Sequence, residues 1–230
     1  MRRLLALLLS MTFLALPAHA AYGSRYVALT FDDGPSGKYT RALLDGLYDR
    51  GAKATFLLCG YRIQDYPEIA QRIFEEGHEI GFHGYSHDSM KTMSRRGIAQ
   101  ELMDTQALLP EGCHPVFFRP PGGLSSDAVQ QVAQARGLAI LHWSVDPHDW
   151  EIHNKQSIEA YVLEQVCDGD IILLHDMSTA SVEAALAIVD ALLEEDFEFV
   201  TVSELARIRG SHPKPGCVYK KFPPSDREVK

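Results

Sequence analysis

The 230-residue chain carries 22 Lys and Arg against 31 Asp and Glu, a formal net charge of −9. Setting aside the first twenty residues, which hold Arg2 and Arg3 and no acid, leaves 20 basic against 31 acidic residues and a net charge of −11. Such a surface repels polyanions, which argues against nucleic acid and anionic lipid as partners.

Met1-Arg2-Arg3, an apolar run from Leu4 to Leu16 and the small-x-small sequence Ala18-His19-Ala20 read together as a signal peptide over residues 1–20, with the mature chain beginning near Ala21. The run is shorter than the roughly 18 to 20 apolar residues of a membrane span, and no later segment reaches that length. Export is therefore expected, to a periplasm, a cell wall or the medium, as a monomer with no stable membrane span. The other 210 residues contain no Ser/Gly- or Pro-rich linker and suit a single domain. Four cysteines, Cys59, Cys113, Cys167 and Cys217, allow three disulfide connectivities in an exported protein. None forms a C-x-x-C pair, so a thiolate zinc site is not expected.

From Tyr26 onward, short β-branched or aromatic runs alternate with amphipathic stretches, the pattern of β/α units around a parallel sheet. The expected strands, in chain order, are Tyr26–Phe31, Ala54–Leu58, Glu79–Phe82, Val116–Phe118, Leu138–Trp143, Ile171–Leu174 and Phe197–Val200. Between and after them the expected helices are Tyr39–Arg50, Pro67–Glu76, Ser94–Leu109, Ser125–Arg136, Gln156–Val166, Ala180–Glu195 and Val202–Ile208. Gly51, Gly77 and Gly137 each follow a helix where a left-handed residue would end it. The tail from Gly210 to Lys230 shows no periodicity and reads as extended or partly disordered, with no catalytic role. Seven units can close as an incomplete barrel or lie as an open sheet. Polar residues follow strands one, three, four, five and six rather than gathering at one switch point, and that spread favours an incomplete (β/α)7 barrel.

Asp32-Asp33-Gly34 ends the first strand with adjacent carboxylates, one able to bind a cation while the other acts on water. By itself the sequence is as well a solvated Asp-Gly turn. His83 and His87 follow the third strand four residues apart, close enough to chelate one ion in a helical turn. Joined by a strand-end carboxylate they form a two-His, one-carboxylate set with open positions, a catalytic rather than structural arrangement. Arg119 is presented by Pro120-Pro121, so a backbone donor for an oxyanion would come from Gly122 or Gly123. Trp143 to Trp150 supplies two indoles and two carboxylates. His175 follows the apolar run Ile171–Leu174, where an imidazole is poised for proton transfer or is a satisfied core residue. His78, His142, His148 and His153 lack chelating partners and read as structural or exposed, and Cys59 reads as a buried small hydrophobe.

Taken in order, Thr30-Phe31-Asp32-Asp33-Gly34, His83 with His87, Arg119-Pro120-Pro121-x-Gly123, Asp146-x-x-Asp149-Trp150 and Leu173-Leu174-His175 resemble the five motifs of polysaccharide deacetylases. These are carbohydrate esterases with a rhizobial chitooligosaccharide deacetylase-like domain. The resemblance spans about Arg25 to Leu205. It implies that Asp32 is the general base, that Asp33, His83 and His87 hold a divalent metal, zinc first and cobalt or nickel as alternatives, and that Arg119 orients the base. It further implies that Asp149 tunes His175, the general acid, that the Gly122 amide faces the oxyanion, and that Trp143 and Leu173 line an acetyl pocket. The implied fold is the incomplete (β/α)7 barrel, and the implied substrate is an N-acetylated glycan such as peptidoglycan or chitin oligomers. Relatives that cleave O-acetyl esters of xylan, or a catalytically silent glycan-binding barrel, are the other expectations. Two positions depart from the family: Gly122 replaces an aromatic residue, often Tyr, and Asp88 replaces the Pro after the second metal histidine.

Overall fold

In the computed structural model, which describes residues 24–224, β1 (Arg25–Asp32) is an interior strand of a parallel sheet. It is buried without a break from Val27 to Asp32, as a strand covered on both faces must be. The expected signal peptide over residues 1–20 lies outside the described residues.

The remaining elements follow as α1 (Tyr39–Asp49), β2 (Ala54–Leu58), α2 (Gly60–Asp65), α3 (Pro67–Glu75), β3 (Glu79–Phe82), α4 (Arg95–Gln106), β4 (Phe117–Phe118), α5 (Asp127–Ala135), β5 (Ala139–Leu141), α6 (Lys155–Gln165), β6 (Ile171–His175), α7 (Thr179–Glu194), β7 (Phe197–Phe199), α8 (Val202–Ile208) and β8 (Val218–Tyr219). The sheet order is β6-β1-β2-β3-β4-β5-β8, with parallel pairing between these strands. Val145, just beyond β5, bridges Ile172 of β6, so the sheet curls toward closure as the expected incomplete barrel. β7 and β2 share one edge of β1, where Lys53 N–H, just before β2, donates to the Phe199 carbonyl, and β6 takes the other edge. Arg25–Val27 pairs with β7 and Ala28–Asp32 with β6, so β7 stops short of the end where β1 delivers Asp32.

Alternation along the strands sends Ala28, Leu57, Phe117, Ala139, Leu141 and Ile171 into one cluster with Val202, Leu205 and Ala206 of α8. The opposite strand faces bury Phe31, Phe56 and Leu174 against α1, α3 and α7, and Phe118 and Ile140 against α4 and α5. Helix α8 closes the end of the barrel where β2 and β3 begin. Its Val202 N–H donates to Thr55 Oγ1 at 2.9 Å, and Ser203 N–H to Glu79 Oε2 at 3.1 Å. Thr201 and Glu204 form a capping box that starts the helix.

Two expectations need correction. The tail belongs to the sheet: β8 pairs with β5, Phe222 is only 3% exposed, and its N–H donates to the Gly169 carbonyl at 2.8 Å. A two-residue strand set among prolines and lysines is too short to show a period, which is why the pattern gave no sign of it. The cysteines are all free, with Cys59 buried, Cys113 half-buried and Cys167 and Cys217 exposed, so none of the three connectivities is formed. Among the described residues no helix is long and apolar enough to cross a membrane.

Candidate active site

β1, β3, β4 and β6 end at one mouth of the barrel, opposite α8, and deliver Asp32, His83, Arg119 and His175 there. Asp33 leaves β1 in the left-handed region at φ 71°, and His87 does the same at φ 65°. Non-glycine residues in this region store about 1 to 3 kcal/mol each, strain that persists where surrounding structure requires it. The requirement here is convergence. Asp33 Oδ1 lies 3.2 Å from His83 Nε2 and 3.0 Å from His87 Nε2, and one ligand atom from each of the three residues falls within 4.8 Å of the others.

The donor set fits a cation. His83 Nδ1 is 2.7 Å from the Arg119 carbonyl oxygen, which can only accept, so Nδ1 carries the proton and Nε2 presents a lone pair. That lone pair points toward Asp33 Oδ1, a buried oxygen with no hydrogen bond of its own. Lone pairs meeting at about 3 Å call for a positive charge between them. Burial alone would raise the Asp33 carboxyl, but positive charge facing it, which His83 and His87 carry when protonated, more than offsets this and holds it well below the usual carboxylate range. His87 is raised, chiefly by Asp33.

Asp32, 3% exposed, receives Arg119 Nη1 at 2.6 Å. The guanidinium is wholly buried and three of its other four N–H donors are used as well: Nη1 to Thr30 Oγ1 at 2.9 Å, Nε to the Leu141 carbonyl at 3.2 Å and Nη2 to the His142 carbonyl at 2.9 Å. A planar fork held on three sides fixes the carboxylate it touches far better than a flexible ammonium would. Asp32 Oδ2 stands 3.7 Å from His83 Nε2, so this carboxylate borders the cation site without belonging to it.

Across the mouth, Asp149 grips His175 twice: Oδ1 lies 2.7 Å from Nδ1 and Oδ2 accepts the His175 N–H at 2.8 Å. Asp149 is 1% exposed. Burial would lower the His175 imidazole, but the Asp149 hydrogen bond and the nearby carboxylates of Asp149, Asp32 and Asp33 push it up to about 9. His175 is thus cationic at neutral pH with Nε2 free to give a proton.

Other expected residues take more varied places. Leu173 is buried on the interior face in register with Thr30. Trp143 lies beside the Arg119 guanidinium, 5.4 Å from ring centre to Cζ, with its indole N–H on Asp146 at 2.9 Å. Gly122 is exposed in a short 3-10 turn, Pro121–Gly123, at φ 64°. The neighbour that needs to lack a side chain is Gly123, where a Cβ would come 2.7 Å from Trp143. His78 is buried and accepts from Ala54 N–H at 3.1 Å, with burial lowering it to about 4, while His148 and His153 are exposed. Cys59 is buried and its thiol is pushed up by burial and by the Asp33 and Asp32 charges.

Two acids escaped the sequence reading. Glu101 on α4 accepts the Tyr85 and Ser86 N–H groups at 2.7 and 2.8 Å and the Ser86 hydroxyl, and so shapes the turn between His83 and His87. Nothing in a helix segment of ordinary polarity distinguishes it. Asp176, next to His175, is wholly buried and accepts the Thr40 hydroxyl. Its Oδ1 has no partner, and a Cβ on Gly34 would press on it at 2.6 Å, so the glycine of the Asp-Asp-Gly turn makes room for this carboxyl. The His175-Asp176 adjacency was the available signal.

A family model described as polysaccharide deacetylase matches residues 19–141. The chain is 37% identical over 191 residues to a peptidoglycan-N-acetylglucosamine deacetylase of Bacillus cereus, covering 80% of this chain and 90% of that protein. It is also 37% identical over 188 residues to the peptidoglycan-N-acetylmuramic acid deacetylase PdaC of Bacillus subtilis, where it spans 80% of its own length but 39% of the relative's. Among solved structures, a family 4 acetyl xylan esterase from Clostridium thermocellum in complex with cobalt superposes with a TM-score of 0.81 at 34% identity, covering 86% of this chain and all of the other.

Proposed function

We propose that this chain, which belongs to the polysaccharide deacetylase family, removes N-acetyl groups from an N-acetylglucosamine-containing polysaccharide, of peptidoglycan or chitin type, by metal-dependent hydrolysis. The observation that carries the reading is the pairing, at one barrel mouth, of a cation-demanding Asp33, His83 and His87 cluster with two oppositely equipped proton carriers. A divalent ion held by those three residues, zinc first with cobalt or nickel as alternatives, would polarise the acetyl carbonyl and acidify water.

The protein's own groups account for the protons. Asp32, anchored by Arg119, accepts one from the attacking water as the new C–O bond forms. His175, held cationic by Asp149, donates one to the nitrogen as the C–N bond breaks, releasing acetate and a free amine. The Gly122 amide is assigned to the oxyanion, and Trp143 with Leu173 to the walls around the acetyl methyl. At Gly122 no aromatic platform is present for the sugar. Export, proposed from the Arg2-Arg3 start, the apolar run and Ala18-His19-Ala20, suits a polymeric cell-wall substrate.

The experiment is acetate release from N-acetylglucosamine oligomers and from peptidoglycan, with added zinc, cobalt or nickel. Wild-type turnover that survives Asp32→Asn or His83→Ala would overturn the assignment. A second reading, O-deacetylation of xylan, is favoured by the fit to the Clostridium thermocellum esterase. Acetylated xylan assayed in parallel decides between amide and ester.

A further inference from the structure

Arg119 rests on main-chain carbonyls at the end of β5, and β5 has a weak hold on one side. β4 pairs with it only through Phe117 with Ala139 and Phe118 with Ile140. Leu141 and His142, whose carbonyls receive Arg119 Nε and Nη2, lie past the end of that ladder. On the other side they are paired by the C-terminal segment: Leu141 is in register with Tyr219, and His142 N–H donates to the Tyr219 carbonyl at 2.7 Å. An unbroken line of hydrogen bonds thus runs from Tyr219 to His142, from the His142 carbonyl to Arg119 Nη2 at 2.9 Å, and from Arg119 Nη1 to Asp32 at 2.6 Å.

The segment is itself anchored. Phe222 is buried and stacks on Tyr219 with ring centres 5.4 Å apart, its N–H bonds Gly169, and Lys221 bridges Asp170 immediately before β6. A side chain on Gly169 would collide with the Phe222 carbonyl, so this docking leaves no slack.

We propose that β8, pinned by Phe222, is a positioning element of the active site: it sets the two carbonyls that aim Arg119 and, through Arg119, the Asp32 carboxylate. The inference rests on the reading of Asp32 as the proton acceptor. No residue of β8 belongs to the cation site of Asp33, His83 and His87.

The test compares the full chain with Phe222→Ala and with a chain ending at Gly216, using an N-acetylglucosamine pentamer and zinc, below the melting temperature of each protein. Both variants should lose roughly 10- to 100-fold in kcat, with KM and zinc stoichiometry within about twofold of wild type, as expected for loss of an outer orienting contact. In an Arg119→Lys background, where the fork is already gone, Phe222→Ala should cost no more than about twofold further. Simple loss of folded protein would instead lower zinc stoichiometry in proportion and multiply with Arg119→Lys, and that result overturns the proposal. So does unchanged kcat in Phe222→Ala. Should the shortened chain not fold, Phe222→Ala decides alone. An inactive wild type that still takes up zinc would sink the functional reading rather than this inference.

Discussion

His83 Nδ1 donates to the carbonyl oxygen of Arg119 across 2.7 Å, so one residue orients a metal ligand with its main chain and a carboxylate with its side chain. The two duties separate by mutation. Arg119→Lys keeps the carbonyl and should bind zinc as tightly as wild type by calorimetry, while kcat falls on the order of 100-fold because the fork that fixes Asp32 is lost. A matching fall in zinc affinity would contradict the separation.

Glu101 makes a prediction about ion affinity alone. Glu101→Gln retains the shape but weakens acceptance from Tyr85 N–H, Ser86 N–H and the Ser86 hydroxyl, the contacts that set the turn between His83 and His87. Zinc affinity should drop roughly 10- to 100-fold. Zinc at about 100 times its Kd should stabilise the wild type by about 2.7 kcal/mol, a rise of some 5 to 10 °C in Tm that a chelator removes and that Glu101→Gln shows only at higher zinc.

pH dependence follows from His175. Its imidazole is raised to about 9 by Asp149, so the acid form persists at neutral pH and amide cleavage should decline as pH rises through about 9. The His175–Asp149 pair likewise contributes stability that is complete below the unfolded histidine value near 6.5 and disappears as pH climbs through the folded value. Asp149→Asn removes the main raising influence, and its alkaline limb in a kcat/KM profile should shift to lower pH. An unmoved limb would assign that proton to another group.

Asp176 gives the same direction of pH dependence from a different cause, burial rather than a charge partner. Burial pushes this carboxyl up to about 6, above its unfolded value near 3.9, so the wild type should lose stability between about pH 4 and 6, where the unfolded chain ionises and the buried group still holds its proton. Asp176→Asn keeps the Thr40 contact, lacks the charge and should be more stable by roughly 2 to 3 kcal/mol above pH 6, with the gap closing below pH 4. Urea melts at pH 4 and pH 7.5 measure it, and equal differences at the two values would falsify the buried-charge account.

Most of the barrel was legible in sequence because its strands and helices keep their own periods. Tyr39, Pro67 and Val202 open helices where expected, and Ala54–Leu58 and Glu79–Phe82 match the observed strands to the residue. Motif spacing likewise singled out Asp33, His83 and His87, which folding brings within reach of one ion. What escaped depends on distant chain. The short α2 lies between Cys59 and Pro67, too brief for a helical period, and β8 has two residues whose partners sit about eighty positions earlier. Glu101 matters through contacts with Ser86 that no local pattern encodes, and Asp176, marked in sequence only by standing next to His175, matters through a contact with the distant Thr40.

Helix α8 covers the barrel end opposite the catalytic residues, tied by Thr55 and Glu79 and packed on the interior cluster, so the site is reached from the other mouth. Under the proposed reaction, acetate released beside Asp33, His83 and His87 would leave through the same mouth that the amino sugar occupies. Turnover would then be ordered, and added acetate should compete with an incoming acetyl group for the same recess.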